Sequence, residues 1–176
     1  MIERAFVAPA TRNVPRHIAI IMDGNRRWAQ ARNLSSIEGH RAGARALREA
    51  VRSAAAAGID VLTVFAFSEE NWGRDPLEVR LLMELVGIFA SGERDRLVRE
   101  NVRVRIIGRM DRLPGSTRAS LDDLIHSTAA CTGLALNLAI NYGARTELCD
   151  AVRALARDVA SGTIKAAQVN EALLGS

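Results

Sequence analysis

The sequence predicts an α/β fold built on an open, mainly parallel sheet with helices on both faces. Apolar runs of strand length alternate with longer segments of helical periodicity, which is typical of βαβ units. The 176 residues are 48% apolar, enough for one sizeable core and short for two. With no internal repeat and no linker-like stretch, we expect a single domain over residues 1–176 with right-handed crossovers.

Four apolar runs predict four strands, at His17–Met22, Asp60–Phe67, Val102–Ile107 and Leu134–Ile140. Helical periodicity predicts five helices, at about Gly39–Ala57, Pro76–Glu100, Ser116–Ala130, Ala144–Ala160 and near Ala166–Leu174. Pro76 suits a first helical turn, where its missing N–H has no partner to lose. Gly58 and Gly162 suit the positions that follow a helix C-terminus.

Composition argues against several classes of protein. The net charge of +4 is modest and the cations are spread along the chain, so no nucleic-acid partner is expected. Lys165 is the only lysine among the 24 Lys and Arg residues, which argues against chemistry that needs a positioned lysine. Cys131 and Cys149 have no metal-ligand spacing and predict reduced thiols in the cytoplasm. The apolar run Leu81–Ala90 is far shorter than the roughly 20 residues that cross a bilayer.

Polar residues follow three of the predicted strands at the point where each strand ends. The runs are Asp23–Trp28 after the first strand, Ser68–Arg74 after the second and Asn141–Arg145 after the fourth. Because the carboxyl ends of parallel strands meet at one edge of a sheet, we expect these runs to lie together there.

The residue types in these runs point to a phosphate-binding site. Guanidiniums, amides and hydroxyls match multiply charged phosphate oxygens. The donors are Asn25, Arg26, Arg27, Ser68, Asn71, Arg74 and Arg145, with His40 in the following helix. A hard carboxylate beside phosphates holds Mg²⁺, which gives Asp23 a function. The pattern therefore predicts a metal and polyphosphate site.

Each of these residues also has a structural explanation when taken alone. Asp23 could cap a turn, because Asp-Gly-Asn is favourable turn chemistry. His40 could be a hydrogen-bonded residue of a helix N-terminus, and Arg145 could pair with a nearby acid of its own helix. Glu69 and Glu70 could be a solvated rim, or could lie near the magnesium. It is the convergence on one edge that favours the site.

The predicted helix after Pro76 is apolar over more than one face. Its apolar residues are Leu81, Leu82, Met83, Leu85, Val86, Ile88 and Phe89. So wide a stripe is ordinarily core packing. A groove for a long hydrocarbon is the alternative, and the sequence pattern leaves both open.

Two other phosphate enzymes fit the sequence poorly. A haloacid dehalogenase-type phosphohydrolase needs a second aspartate two positions after Asp23, where this chain has Asn25, and Lys165 is badly placed for its lysine. A P-loop hydrolase needs Gly-x-x-x-x-Gly-Lys-Ser/Thr, which does not occur.

Four motifs together resemble the cis-prenyltransferases, and the bacterial undecaprenyl diphosphate synthases among them. The motifs are His17–Ala29, Gly39–Gly43, Phe65–Arg74 and Asn141–Arg145, in order and with family-like spacing. The resemblance covers about His17 to Leu174. It implies an undecaprenyl diphosphate synthase-like fold and Mg²⁺-dependent condensation of isopentenyl diphosphate onto an allylic diphosphate such as farnesyl diphosphate. It also implies a cytoplasmic homodimer that makes a cell-wall precursor and meets the membrane through its product.

The resemblance also implies roles for individual residues. Asp23 would bind magnesium and diphosphate, and Asn71 would assist condensation or proton loss. The allylic diphosphate would lie among Gly24, Asn25, Arg26, Arg27, Trp28 and His40. The rest of the substrate cleft would comprise Ser68, Glu69, Glu70, Trp72 and Arg74. The wide apolar helix would line the tunnel for the growing chain.

Two departures from the family pattern accompany the match. Ser36 stands where the family usually has an arginine four residues before the histidine. The family also continues for several tens of residues beyond Ser176 with an acceptor-site motif and a magnesium-binding glutamate, so a C-terminally truncated chain is expected. The alternative function is a non-catalytic or partner-dependent subunit that binds allylic diphosphates.

Overall fold

The computed structural model describes residues 14–174 and contains a four-stranded sheet with helices. The strands are β1 His17–Ile21, β2 Val61–Ser68, β3 Arg103–Ile107 and β4 Ala135–Tyr142. The helices are α1 Asn25–Gln30, α2 Ser36–Ala56, α3 Pro76–Arg99, α4 Gly115–Thr128, α5 Ala144–Ala160 and α6 Glu171–Leu174. Short 3-10 turns span Glu69–Gly73 and Ala166–Gln168.

The sheet has the strand order β1-β2-β4-β3. β1 pairs with β2 in parallel, with Ile18 opposite Leu62, and β3 pairs with β4 in parallel, with Val104 opposite Leu136. The α/β class and the parallel sheet predicted from the sequence are confirmed. The carboxyl ends of β1, β2 and β4 therefore share one edge, and the polar runs begin there.

One apolar core lies between the sheet and helices α2, α3 and α4. Alternate residues of β2 and β4 enter it, as the period of two in a strand requires. Its members include Leu62 and Leu136 from the sheet and Val51, Met83 and Leu124 from the three helices, each at most 1% exposed. The hydroxyl of Thr117 on α4 donates to the carbonyl of Met83 on α3 over 3.1 Å. Burying the hydroxyl is tolerable because it is hydrogen-bonded.

A buried ion cluster ties α2 to α3. The Glu93 carboxylate is 5% exposed and pairs with Arg48 of α2. Its second oxygen lies 2.7 Å from Nε of Arg96, one turn further along α3. A carboxylate so deeply buried requires opposite charge around it, and the two guanidiniums supply that charge.

The chain divides into two compact units, residues 1–141 and 142–176. The first holds the sheet core together with α1 to α4. Within the described part of the second, α5 begins after Gly143, and Glu147 of its first turn accepts a 2.7 Å hydrogen bond from the Tyr142 hydroxyl. The expectations of one domain over the whole chain and of helices on both sheet faces stay predictions.

The predicted elements correspond to the observed ones with small shifts. Pro76 opens α3 as expected, with the Asp75 side chain capping the helix through the N–H groups of Leu77 and Glu78. α2 begins at Ser36, three residues before the predicted start. Along the described part of the chain, no helix has both the length and the apolar character required to cross a bilayer.

Three local features differ from the prediction. The segment after β1, expected to be a loop, contains α1, and the segment after β2 winds into the 3-10 turn Glu69–Gly73. The last predicted helix, near Ala166–Leu174, is instead a 3-10 turn followed by the four-residue helix α6. Short, polar helical segments lack the apolar periodicity on which the prediction depends.

Candidate functional site

A cavity of about 390 Å³ opens at the carboxyl edge of the sheet, beside α2 and α3. Its polar lining residues are Asp23, Asn25, Arg26, Arg27, His40, Asn71 and Arg74, joined by Gly24. Its apolar lining residues are Met22, Ala44, Leu47, Ala66, Phe67, Leu82, Leu85, Val86, Phe89, Leu121, Leu138 and Ile140. The cavity thus combines a cationic polar part with a larger hydrocarbon part.

Asp23 lies at the exposed end of this cavity, directly after β1. Its Oδ1 accepts a 2.5 Å hydrogen bond from the Gly24 N–H, and its Oδ2 forms a 2.8 Å ion pair with Nη2 of Arg27. Both side chains are 77% exposed, so this pair contributes little to folding stability. A carboxylate that the fold does not require is free to be used for binding.

Two glycines of α2, Gly39 and Gly43, allow helix α1 to approach α2 closely. A Cβ at Gly39 would clash with the backbone carbonyl oxygen of Asn25, and one at Gly43 would come within 2.6 Å of the Asn25 side-chain oxygen. Ala29 of α1 is fully buried in this contact region. The Gly39–Gly43 motif therefore fixes the position of α1, which brings Asn25, Arg26 and Arg27 to the cavity.

His40 belongs to a half-buried polar cluster on the α2 side of the cavity. Its Nε2 lies 3.5 Å from Oε1 of Glu78, and the same oxygen lies 3.4 Å from Nη1 of Arg74. The Ser36 hydroxyl also reaches this oxygen, at 3.5 Å. Burial lowers the pKa of His40 below its usual value, while Glu78 opposes that shift and the charges of Arg74 and Arg26 add to it.

Burial therefore favours the neutral imidazole. The His40 Nε2 is buried and has no hydrogen-bond partner within residues 14–174. The 3.5 Å contact to Glu78 is an electrostatic contact rather than a well-formed hydrogen bond. A neutral ring can donate one hydrogen bond to a phosphate oxygen without carrying a charge.

Asn71 enters the cavity from the 3-10 turn that follows β2. Its side-chain oxygen accepts a 3.1 Å hydrogen bond from the Ser68 N–H, and its carbonyl accepts one from the Arg74 N–H at 3.2 Å. These two bonds close the turn on itself. The turn thereby delivers an amide and a guanidinium to the cavity from one short segment.

The sequence left open whether the apolar residues of α3 pack in the core or line a groove. In the structure, some of them line the cavity and others belong to the core. Leu82, Leu85, Val86 and Phe89 line the cavity. Met83 is 1% exposed and belongs to the core, whereas Ile88 is 65% exposed. The helix serves both the core and the cavity, which explains why its apolar surface is wider than one stripe.

Of the thirteen residues given roles by the family resemblance, five lie outside the cavity lining: Trp28, Ser68, Glu69, Glu70 and Trp72. Arg145, also predicted as a donor, is likewise not among the lining residues. The Arg32 guanidinium stacks on the Trp28 ring at 4.4 Å, and Trp72 meets Phe67 edge-to-face at 5.2 Å between ring centroids. Ser68 supports Asn71 through its backbone. The roles of these five in binding stay predictions, as do those of the eight that line the cavity.

The sequence prediction missed eight of the twelve apolar lining residues, including Met22, Phe67 and Ile140 near the strand ends. Ala44 and Leu47 come from α2, Leu121 from α4, and Ala66 and Leu138 from the sheet. The period of α2 did contain a signal, because His40, Ala44 and Leu47 lie one turn apart on the same helical face. Leu121 had no local signal, since it reaches the cavity only through the packing of α4 on α3.

The donor set at Asp23 determines whether a divalent cation could bind there. Within the described chain, no group of three or more His, Cys, Asp or Glu side chains could hold a metal ion by itself. One exposed carboxylate fits Mg²⁺, which keeps most of its positions for water and phosphate oxygen. The residues present therefore fit a magnesium ion that is shared with a bound diphosphate.

Comparison with known proteins gives consistent results. The family model Prenyltransf, described as "Putative undecaprenyl diphosphate synthase", matches residues 21–176. The isoprenyl transferase of Brucella abortus is 49% identical over 92% of this chain. The ditrans,polycis-undecaprenyl-diphosphate synthase ((2E,6E)-farnesyl-diphosphate specific) of Xanthomonas axonopodis pv. citri is 47% identical over 93% of it. The chain spans 64% and 63% of these two relatives, slightly less than two thirds of their length.

Two solved structures share the fold. Lavandulyl diphosphate synthase from Lavandula x intermedia, in complex with dimethylallyl diphosphate, superposes with a TM-score of 0.89 at 30% identity. That match covers 91% of this chain and 69% of the other. A "probable undecaprenyl diphosphate synthase" from Campylobacter jejuni superposes with a TM-score of 0.71 at 30% identity, covering 93% and 68%.

Proposed function

As the chain belongs to the undecaprenyl diphosphate synthase family, we propose that it binds an allylic diphosphate and extends it with isopentenyl diphosphate to a cis-polyprenyl diphosphate. Magnesium, supplied through Asp23, is part of this proposal, as are a cytoplasmic location, a homodimer and a product that contributes to the cell wall. The relatives are named isoprenyl transferase and undecaprenyl-diphosphate synthase, which supports the reaction class.

The observation that supports the proposal most strongly is that one cavity is lined by both cationic and apolar side chains. Three guanidiniums, of Arg26, Arg27 and Arg74, lie at the polar part, and twelve apolar residues line the rest. A prenyl diphosphate has this same division into a multiply charged head and a hydrocarbon tail. A small polar phosphate ester would leave the apolar part unused.

The polar part can promote departure of the diphosphate. As the allylic C–O bond breaks, negative charge grows on the leaving group, and fixed guanidiniums and amide donors interact with it more strongly. Arg27, Arg74 and Asn25 are placed to supply these interactions, and neutral His40 can add one hydrogen bond. Mg²⁺, when bound at Asp23, would neutralise further phosphate charge.

The apolar part can protect the allylic cation. Water would capture such a cation, and residues such as Leu82, Val86 and Phe89 offer water no hydrogen-bond partner. Asn71 lies in the same cavity lining, and its amide is assigned the role of assisting condensation or loss of the proton. These roles rest on position, and mutation at each residue tests them.

The test combines binding with turnover in the presence of Mg²⁺. Farnesyl diphosphate, farnesol and inorganic pyrophosphate are titrated separately, and incorporation of labelled isopentenyl diphosphate is then measured with and without farnesyl diphosphate. We expect farnesyl diphosphate to bind more tightly than either of its halves and to be elongated. Binding without elongation would favour the partner-dependent or non-catalytic binding subunit. Equal, weak binding of all three compounds would contradict both functions.

A further inference from the structure

Asn141 is a buried amide that connects two loops near the cavity. It ends the first compact unit, is 1% exposed, and adopts a left-handed backbone conformation with φ of 50°. Its Oδ1 accepts a 2.7 Å hydrogen bond from the indole N–H of Trp72. Its Nδ2 donates to the carbonyl oxygen of Arg109 over 2.8 Å. Both ends of this buried amide are thus satisfied, each by a different loop.

The loop that follows β3 is fitted closely to Asn141. The backbone N–H of Arg109 donates to the Asn141 carbonyl over 3.3 Å. Arg109 and Asn141 are therefore joined by two hydrogen bonds, because the Asn141 side chain also donates to the Arg109 carbonyl. Gly108 has φ of 111°, and a Cβ there would clash with the carbonyl of Ile140 and lie 3.0 Å from that of Asn141. The close approach of the loop thus fixes Asn141 from the β3 side.

Trp72 is held on three sides. Asn141 binds its N–H, the Phe67 ring packs against it edge-to-face, and the Arg112 guanidinium lies 4.8 Å from its ring centroid. Trp72 belongs to the 3-10 turn Glu69–Gly73, whose Asn71 lines the cavity. A turn of five residues has little packing of its own, so a fixed indole sets where its neighbours point.

We propose that Asn141 is a positioning residue that fixes the Glu69–Gly73 turn through the Trp72 indole and thereby places Asn71 and Arg74 at the cavity. The effect on catalysis rests on the proposed function, whereas the effect on the turn does not. Asn141 binds the turn through the Trp72 indole, and Trp72 belongs to the same turn as Asn71.

The left-handed backbone and the side chain at this position can be separated experimentally. Asn141→Gly keeps the left-handed conformation, which glycine adopts without strain, and removes only the amide. Asn101→Gly is the matched control, because Asn101 has φ of 56° and its side chain binds Thr132. Asn101 lies in the turn between α3 and β3, where its side chain contacts Thr132 rather than Trp72.

The first measurement reports on the turn without any substrate. In a Trp28→Phe background, Trp72 is the only tryptophan of the chain and its fluorescence reports on the indole alone. We expect Asn141→Gly to shift its emission to longer wavelength and to raise acrylamide quenching about twofold, and to speed amide exchange at Ser68 and Arg74 about tenfold. Asn101→Gly should change none of these. An unchanged Trp72 spectrum with unchanged exchange would overturn the proposal.

The second measurement reports on the cavity. Trp72→Phe removes the indole N–H while retaining an aromatic ring, and should weaken farnesyl diphosphate binding by a factor similar to Asn141→Gly, about five- to tenfold. The double variant should be no worse than either single one, since both remove the same hydrogen bond. If Asn141→Gly does not fold, Trp72→Phe alone decides through amide exchange at Ser68 and Arg74.

Failure of this inference is distinguishable from failure of the proposed function. A wild-type chain that binds no prenyl diphosphate would contradict the proposed function, and fluorescence and exchange would still decide whether Asn141 holds the turn. A loosened turn with unchanged farnesyl diphosphate affinity and turnover would overturn the link from Asn141 to the cavity.

Discussion

His40 lies where burial and neighbouring charges act in opposite directions on one imidazole. Burial is the larger effect and lowers its pKa, the Glu78 carboxylate raises it, and the guanidiniums of Arg74 and Arg26 lower it further. The neutral ring is therefore the form that fits the folded chain. This matters for the site, because a neutral imidazole near these two guanidiniums adds a hydrogen-bond donor without adding more repulsion.

The lowered pKa gives a stability prediction with a definite sign. Because the unfolded chain binds the proton more tightly, stability should fall as the pH drops from neutrality through the usual histidine pKa towards the lowered value. His40→Gln should remove this part of the pH dependence. We expect denaturant unfolding at about pH 7.5 and about pH 5.5 to show a smaller loss for the variant than for the wild type. An equal loss in both would contradict the assignment of a lowered pKa.

Asp23 is suited to binding rather than to folding, since its side chain is 77% exposed, as is that of its ion-pair partner Arg27. Asp23→Ala should change the free energy of unfolding by no more than about 0.5 kcal/mol. Magnesium-dependent prenyl transfer should fall about 100-fold or more, because diphosphate charge would lose its metal.

Asp60→Ala provides the matched control for Asp23→Ala. Asp60 is also an exposed aspartate in an arginine ion pair, to Arg16 at 2.6 Å, but it lies at the opposite end of β2. Its loss should leave turnover near that of the wild type. Near-normal turnover of Asp23→Ala would contradict the proposed role of Asp23 in catalysis.

At the scale of elements, the packing of α1 on α2 determines where the polar side chains lie. α1 is only six residues long and cannot be stable by propensity alone. It forms because Gly39 and Gly43 allow its backbone to approach α2. The contact with α2 thus both stabilises α1 and positions Asn25.

Substitution of three helical glycines separates these effects. Gly39→Ala meets a backbone carbonyl and should destabilise the fold by about 1–3 kcal/mol. Gly43→Ala meets the movable Asn25 amide, so the chain should fold while pyrophosphate binding weakens severalfold. Gly92→Ala has open space and should stabilise α3 by about 0.5–1 kcal/mol. Denaturant unfolding and pyrophosphate titration measure all three, and similar results for Gly39→Ala and Gly92→Ala would contradict the packing argument.

Several element boundaries were present in the sequence. Ser35 accepts from the Glu38 N–H, and the Glu38 carboxylate accepts from the Ser35 N–H, which forms a capping box at the start of α2. The pattern Ser-x-x-Glu marks that start, and the prediction that the helix begins at Gly39 did not take it into account. Gly58 and Gly162, with φ of 76° and 75°, follow their helices as predicted.

At the scale of the molecule, the cavity is assembled from elements distant in sequence. Its apolar part draws on α2, α3, α4, β2 and β4, so its volume depends on how the whole core packs. The Arg48–Glu93 pair helps to keep α2 and α3 in their relative position. The function proposed for the cavity therefore depends on a volume that no single element defines.

Filling that volume tests the hydrocarbon part of the site. Ala44 is half-buried in the cavity lining, whereas Ala46 is exposed on the same helix. Ala44→Phe should weaken farnesyl diphosphate binding at least about tenfold, because two or more methylene groups lose their burial. Binding of inorganic pyrophosphate should stay within about twofold of the wild type.

Ala46→Phe adds the same ring outside the cavity and should leave both affinities unchanged. If Ala44→Phe weakened both ligands equally, the proposed hydrocarbon position in this cavity would be wrong.

The sequence by itself determined the α/β class, the strand positions to within two residues and the edge at which the polar runs meet. It could do so because strand and helix periods, Pro76 and the glycines at helix ends are local signals. It also identified eight residues that line the cavity: seven follow β1 or β2, whose carboxyl ends converge in a parallel sheet, and His40 lies in helix α2. Their chemical roles are still to be tested.

Only the tertiary structure decided which apolar residues face the cavity and which fill the core. The tertiary structure was also needed to find helix α1, the burial of His40 and the hydrogen bond between Trp72 and Asn141. Each depends on residues brought together from distant positions, such as Asn25 with Gly43 and Trp72 with Asn141. Burial and close contact are properties of the packed chain, and local periodicity indicates a face of a helix or strand without fixing which residues meet there.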